Sequence, residues 1–322
     1  MGTQQLDVSV VICAYTEERW EDLVAAVESV KNQTMPAREI VVVIDHNPAL
    51  LGRAQAEITG AVVIENRETR GLSGARNSGI ATASGAIIAF LDDDAIAAPN
   101  WIERLLEGYS QPEVLGIGGA IEPLWEQGRP AWFPEEFDWV VGCTYRGMPT
   151  TVAPVRNLIG ANMSFRREVF DLVGEFRSGI GRIGQLPAGC EETELCIRVH
   201  QRSPHSLLLY NPSVRVVHRV PACRGSWDYF RSRCYTEGLS KALIAELVGA
   251  DDGLSSERAY TVQTLPLGIL RGVGNALRGD VSGLCRSAAI IAGLVSTTVG
   301  YLQGCFSPGK RKRLLTPTLA GK

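Results

Sequence analysis

Three consecutive carboxylates, Asp92-Asp93-Asp94, follow directly on the apolar run Ala86-Ile87-Ile88-Ala89-Phe90-Leu91. Like charges this close raise one another's pKa, so the triplet is unfavourable without a compensating cation. A divalent cation removes that penalty, and hard oxygen donors suit Mg2+ or Mn2+. In an extended chain Asp92 and Asp94 face one way and Asp93 the other. A solvated acidic turn is the alternative reading. The apolar strand before the triplet favours a site, because ligands of open α/β sheets bind beyond the carboxyl ends of the strands. A second acid, Asp45, closes another apolar run, Glu39–Ile44, and the segment Gly71-Leu72-Ser73-Gly74-Ala75-Arg76-Asn77-Ser78-Gly79 supplies a cation. Two strand-end acids and an arginine describe a nucleotide site. A carboxylate can accept from a base N–H or a ribose hydroxyl, and a guanidinium can pair with pyrophosphate. Taken singly, Asp45 reads equally as a turn-forming residue, and Arg70 and Arg76 as solvated surface charges.

These residues need a sheet to hold them. Residues 8–13 form a β-branched run, followed by Trp20, Leu23, Val24, Val27 and Val30 at helical spacing. Glu39–Ile44 and residues 61–64 read as further strands, Ser73 as the cap of a helix over residues 74–82, and residues 86–91 as the fourth strand. Strands alternating with helices imply an α/β, doubly wound parallel sheet. Further on, residues 115–121 read as a Gly-rich strand, and 160–170 as a strand turning into a helix. Residues 207–210 and 214–217 read as two short strands, and 229–247 as a helix.

With 322 residues, 45% hydrophobic and 21% charged, the chain can bury a substantial core. A net charge of −3 gives no basic field, and no nucleic-acid partner is expected. The eight cysteines form no CxxC pair, which fits reduced thiols in a cytosolic setting. The polar N-terminus has no basic n-region, so no signal peptide is expected.

Four ordered motifs, Val-Ser-Val-Val-Ile-Cys-Ala-Tyr-Thr-Glu (8–17), Val-Val-Val-Ile-Asp (41–45), Gly-Leu-Ser-Gly-Ala-Arg-Asn-Ser-Gly (71–79) and Phe-Leu-Asp-Asp-Asp-Ala (90–95), resemble family 2 glycosyltransferases of the GT-A fold. The resemblance implies a mixed sheet in which Tyr15, Glu17 and Asp45 hold the nucleoside and Arg76 lies by the phosphates. It also implies that Asp92 and Asp94 form the DxD metal site, with Asp93 beside the donor. His218, after a short strand, becomes a third metal ligand or phosphate contact, against a purely structural role. In Cys190-Glu191-Glu192-Thr193-Glu194 the acids suit the first turn of a helix. The resemblance places the general base at Glu192, with Glu191 beside it. The family's usual Asp-Asp-Gly-Ser after the second strand is here Asp45-His46-Asn47-Pro48.

On the acceptor side, Trp125, Trp132 and Trp139 are either loop packing or a wall for stacking on sugar. Asn162 falls in the family segment that lines this side. Arg231, Arg233 and Lys241 share a helix and could hold an acceptor phosphate. Gly179-Ile180-Gly181-Arg182-Ile183-Gly184 has GxGxxG spacing but lacks the strand and helix of a dinucleotide site, and reads as a mobile loop.

A narrower resemblance runs through Phe-Pro-Glu-Glu-Phe-Asp-Trp-Val-Val-Gly (133–142), Tyr-Arg-Gly (145–147), Val-Arg-Asn (155–157), residues 160–170 and Glu-Thr-Glu-Leu-Cys (192–196). These look like archaeal glucosyl-dolichyl phosphate glucuronosyltransferases and their actinobacterial relatives. It implies a UDP-sugar donor, with glucuronate as the sugar, and a lipid-linked saccharide acceptor. A carboxylate-bearing donor needs a cation, which Arg166, Arg167 or Arg182 could supply.

The composition changes after Asp251-Asp252-Gly253. Leu265, Leu267, Ile269, Leu270, Val273 and Leu277 outline an amphipathic helix. Residues 287–309 carry no charge, and Lys310-Arg311-Lys312-Arg313 follows. The uncharged run is long enough to cross a bilayer but weakly apolar. The expected division is a catalytic domain, 1–245, and a helical segment, 246–322. That segment lies on or dips into the cytoplasmic face of the cell membrane, or else packs on the catalytic domain as a soluble helical pair. Two other classes compete with an inverting glycosyltransferase. One is a phosphohydrolase of the haloacid-dehalogenase type, with Asp92 as nucleophile and Asp94 as acid. The other is a non-catalytic nucleotide-sugar-binding assembly protein.

Overall fold

A computed structural model describes residues 6–178, 180, 189–249 and 259–306. The expected loop 179–184 lies outside the described residues apart from Ile180, as do Arg182 and the basic run Lys310–Arg313. The chain forms two compact units. The first takes in most of residues 1–122, 149–184 and 191–218, and the second residues 123–148, 185–190 and 219–322.

The first unit is built on a mixed sheet. β1 (Val8–Ala14), β2 (Glu39–Ile44), β3 (Val62–Glu65) and β4 (Ile87–Asp92) run parallel in the order β3-β2-β1-β4. Their Val and Ile side chains are buried on both faces in β1, β2 and β4, as expected of parallel strands covered by helices. Beyond β4 the sheet continues through β8 (Asn162–Arg166), β6 (Val114–Trp125), β9 (Leu207–Val220) and β5 (Ala95–Ala97). β8 is antiparallel to both β4 and β6, and β5 is antiparallel to β9. A short β7 (Ala153–Pro154) also pairs with β9.

Helices α1 (Trp20–Lys31), α2 (Pro48–Glu57), α3 (Leu72–Thr82), α4 (Trp101–Gly108), α5 (Glu168–Val173) and α6 (Glu191–Arg202) complete this unit. α2 was not read from the sequence. Its start is set by Asn47, whose Oδ1 accepts from the Leu50 N–H, and by Pro48 at the first helical position. Asn47 and Pro48 thus form a capping pair directly after Asp45 and His46. α3 starts earlier than expected, at Leu72 with Gly71 as its N-cap, and Ser73 does not cap it: its hydroxyl donates to the Ile180 carbonyl. α3 lies close on β1, because a Cβ on Gly79 would meet Val11 Cγ1 at 2.4 Å. Residues 207–217 form one strand rather than two. Along β9 the pairing with β7 takes in Leu209 and Tyr210 and that with β5 takes in Val216, Val217 and His218, so neither needs an N–H from Pro212. The core sits between the sheet and α3, α5 and α6, where Phe90, Phe170 and Phe176 meet edge to face or tilted.

The second unit holds α7 (Trp227–Val248), α8 (Leu265–Leu277) and α9 (Ser282–Phe306). α9 is long and apolar enough to cross a membrane, by length and composition.

Candidate active site

The β1–β4 register sets Cys13 beside Asp92, and the Asp45 N–H donates to the Ala14 carbonyl at 2.8 Å. The carboxyl ends of β1, β2 and β4 therefore share one edge. A cleft at this edge is lined by Tyr15, Arg19, Asp45, Asp92, Asp93 and Asp94, among others. Antiparallel pairing sets His218 of β9 opposite Ala95 of β5, next to the triplet. The His218 Nε2 lies 3.0 Å from Asp94 Oδ1, with both side chains buried. One ligand atom each from Asp92, Asp94 and His218 lies within 4.8 Å of the others. Two carboxylates and an imidazole converging in this way are a donor set that fits a divalent cation.

Arg19 was missed in the sequence. Its Nη1 lies 2.7 Å from Asp93 Oδ1 and 2.9 Å from Asp94 Oδ2, and its guanidinium sits 5.0 Å from the Tyr15 ring centre. Burial pulls the Arg19 pKa down, but the Asp93 and Asp94 charges outweigh it and hold the pKa above its ordinary value. A signal was present. Arg19 sits at the N-cap position of α1, where the macrodipole disfavours a cation, so an arginine there calls for acids nearby.

Asp45 is buried and ties down the loop before α3. Its Oδ2 accepts from the Gly71 N–H at 3.0 Å and its Oδ1 from Asn66 Nδ2 at 2.6 Å. Gly71 has φ +123°, a conformation that favours glycine. Asp45 still lines the cleft, and Tyr15 is half-buried beside it. Glu17 is exposed at the start of the 3-10 turn that Thr16 caps.

Arg76 does not lie where a phosphate could reach it. Only 2% of it is exposed. Its Nη1 pairs with Glu191 Oε1 at 2.7 Å, and its Nη2 lies 3.6 Å from Asp92 Oδ1. The rings of Phe90 and Phe176 flank it. Burial pulls its pKa down, but Glu191 and Asp92 outweigh this and raise it. Arg76 is a buried strut between the end of β4 and the start of α6. Glu191, expected beside the general base, is instead buried as the ion-pair partner of Arg76 through its Oε1. Glu192 is only half-buried, and its charge also acts on Arg76.

Three other expectations change. Asn162 does not line an acceptor site. It is fully buried, its Nδ2 donates to the Ala120 and Val214 carbonyls, and its Oδ1 accepts from Trp101 Nε1 at 2.9 Å. Its amide ties β8 to β6 and β9. Arg166 and Arg167 spend their guanidinium groups on backbone carbonyls, of Val114, Tyr109 and Gln111 and of Gly85 and Ala83 respectively.

In the second unit, Trp132 packs edge-on against Trp227 and Phe230, and the Trp139 indole donates to the Tyr260 hydroxyl at 3.0 Å. Arg233 pairs with Glu237 at 2.7 Å, and Lys241 lies 3.3 Å from the same carboxylate. Arg231 is exposed. Loop packing accounts for the contacts of both tryptophans.

A strand-end acidic cluster on a mixed sheet with an acid-started helix beside it defines a nucleotide-sugar transferase of the GT-A type. The model of glycosyl transferase family 2 matches residues 9–174, and the chain belongs to that family. It is a glycosyltransferase. It is 35% identical over 312 residues to the glucosyl-dolichyl phosphate glucuronosyltransferase of Haloferax volcanii, covering 94% of this chain and 97% of that one. It is 23% identical to the succinoglycan biosynthesis protein ExoM of Rhizobium meliloti, over 90% of this chain and 86% of that one. A mannosyltransferase of Pyrobaculum calidifontis, solved with GDP-Man and Mn2+, shares the fold. Its TM-score is 0.56 at 18% identity, over 92% of this chain and 88% of that one. Membership of this family leaves no place for the phosphohydrolase reading.

Proposed function

We propose that the protein is an inverting, metal-dependent transferase that moves a sugar, glucuronate, from a UDP-sugar to a saccharide carried on a polyprenyl phosphate at the cytoplasmic face of the membrane. The Haloferax glucuronosyltransferase supports this donor and acceptor, because the two chains align over almost their full lengths. The observation that carries the chemistry is the convergence of Asp92, Asp94 and His218 at the end of β4, with Arg76 bracing α6 against the same point.

Asp92, Asp94 and His218 would hold Mg2+ or Mn2+. When bound, the cation supplies Lewis-acid neutralisation of the leaving diphosphate. Tyr15, Glu17 and Asp45 surround the nucleoside, and Asp93 with Arg19 closes the phosphate end. Glu192 removes the proton from the acceptor hydroxyl. The resulting oxygen attacks the anomeric carbon as the bond to UDP breaks, so an α-linked donor gives a β-linked product.

The test is a thermal-shift panel of UDP-, GDP- and dTDP-sugars with and without Mn2+. Selective, metal-dependent stabilisation by UDP-glucuronate is expected. Equal shifts with all bases, or a shift independent of metal, would overturn the donor assignment. Donor binding without turnover on any lipid-linked acceptor would favour an assembly protein instead.

A further inference from the structure

α8 and α9 form a helical hairpin with one face closed by glycine and another left apolar and open. On the closed side the backbones touch. A Cβ on Gly300 would lie 2.0 Å from the Tyr235 carbonyl oxygen of α7, and one on Gly238 would lie 2.0 Å from that of Thr297. Gly304 meets the Ala242 side chain, and Gly283 meets the Gly272 carbonyl of α8, in the same way. Two hydrogen bonds fix the other end, from Arg286 Nη1 to the Ala131 carbonyl and from Ser287 Oγ to the Ile269 carbonyl. On the open side of α9, Leu284, Ile291, Val295, Leu302 and Phe306 recur at helical spacing and are 47–82% exposed. α8 adds Leu267, Leu270 and Leu277, at 59–85%. An apolar surface of this extent marks an interaction site.

Charge identifies the occupant. Residues 259–306 carry three basic side chains and one acid, a net +2, and the basic run Lys310-Arg311-Lys312-Arg313 follows in the sequence, whereas residues 1–258 carry a net −10. An apolar face on the basic part of an otherwise acidic chain matches an anionic lipid surface. A second copy of the hairpin would bring the same positive charge to the contact.

We infer that the hairpin lies flat in one leaflet of an anionic membrane and that α9 does not cross it. This rests on the membrane reading above and adds the orientation. With 25 residues α9 is about 37 Å long, enough to span a bilayer. Crossing would carry α7 with it, because the glycine seam runs along Tyr235–Ala242. That stretch of α7 bears Glu237 and Lys241, with Arg233 just before it. Three ionised side chains would then enter the hydrocarbon on a helix that cannot be released. Lying flat immerses the leucine face and leaves α7 in water.

The full chain would be floated with vesicles of phosphatidylcholine alone or mixed with phosphatidylglycerol. Flotation with the anionic vesicles is expected, together with a several-fold loss in Ile291→Glu and Val295→Glu. Both positions are exposed, so unchanged melting should accompany that loss. No flotation with either vesicle, or flotation indifferent to both substitutions, would sink membrane binding itself.

Orientation is read separately from Cys285 and Cys305, which are exposed near the two ends of α9 and about 30 Å apart along it. A membrane-impermeant maleimide is added outside sealed vesicles, with sites assigned by peptide mass spectrometry and the exposed Cys223 as the marker of the protein's side. Admitting the reagent to the lumen should expose neither Cys285 nor Cys305 anew. If one of them reacts only when the reagent reaches the lumen, α9 crosses and the flat orientation is wrong.

Discussion

Replacing Arg76 by Met tests the strut between β4 and α6. The substitution keeps most of the side chain's volume between Phe90 and Phe176 but removes the charge that faces Glu191 at 2.7 Å. Glu191 is buried, and its Oε2 already lacks a hydrogen-bond partner. Removing one member of a buried ion pair strands the other, which typically costs about 3–5 kcal/mol. Replacing both members by apolar groups of similar size is often near neutral. The double variant R76M/E191M should therefore recover most of the loss. Urea unfolding, followed by far-UV circular dichroism, gives both numbers from the midpoints at constant slope. A phosphate-binding arginine on the surface would behave differently: its loss would leave the midpoint unmoved and weaken only donor binding. A single-variant loss under ~1 kcal/mol, or a double variant no more stable than R76M, would refute the strut. Arg76→Lys should not rescue it, since one ammonium cannot span two carboxylates in the way a guanidinium does.

The Glu192→Gln variant should lose about 10²–10⁴-fold in turnover while donor binding, read by calorimetry, stays unchanged; near-normal turnover would remove Glu192 as the base. Arg19→Met should tighten Mn2+ binding by about tenfold, on the order of 1.4 kcal/mol, because a competing cation leaves Asp94. The metal-free protein should melt lower at the same time, and weaker Mn2+ binding would contradict this. Burial pushes the Glu237 carboxyl up, but Arg233 and Lys241 prevail and hold its pKa at about 2. A depressed carboxylate stabilises the fold above its unfolded pKa, and that stability is lost as pH falls from about 4.5 to 2. The shift corresponds to about 3 kcal/mol, so acid titration of wild type should show a stability loss in that window which Glu237→Gln lacks.

What could be read from the sequence was local. The run from Ala86 to Leu91 announced a buried strand and an acidic end, and the acids at 191, 192 and 194 announced a helix start. Periodicity also outlined α1, α7 and α8, though not α2, whose apolar positions are few. Partnerships across long chain separations were not legible in the local pattern, and only the family resemblance pointed to His218 as a ligand beside Asp92 and Asp94. His218 meets Asp94 because β9 pairs with β5, and no local pattern encodes that register. Arg76 finds Glu191 115 residues away. An arginine among small polar residues looks solvated until the sheet and α6 close over it. Asn162 misled for the same reason. The family segment around it was recognisable, but its amide is consumed by strands that become its neighbours only in the folded sheet.

Arg19 gives the acidic tip a resident positive charge of its own. The apoprotein can therefore be assembled and held ready without borrowing an ion from the cell. A metal ion held by Asp92, Asp94 and His218 would take over the counter-charge of Asp94, while Asp93 would keep Arg19 as its partner. A cation bound there would matter to the work of the site more than to its folding.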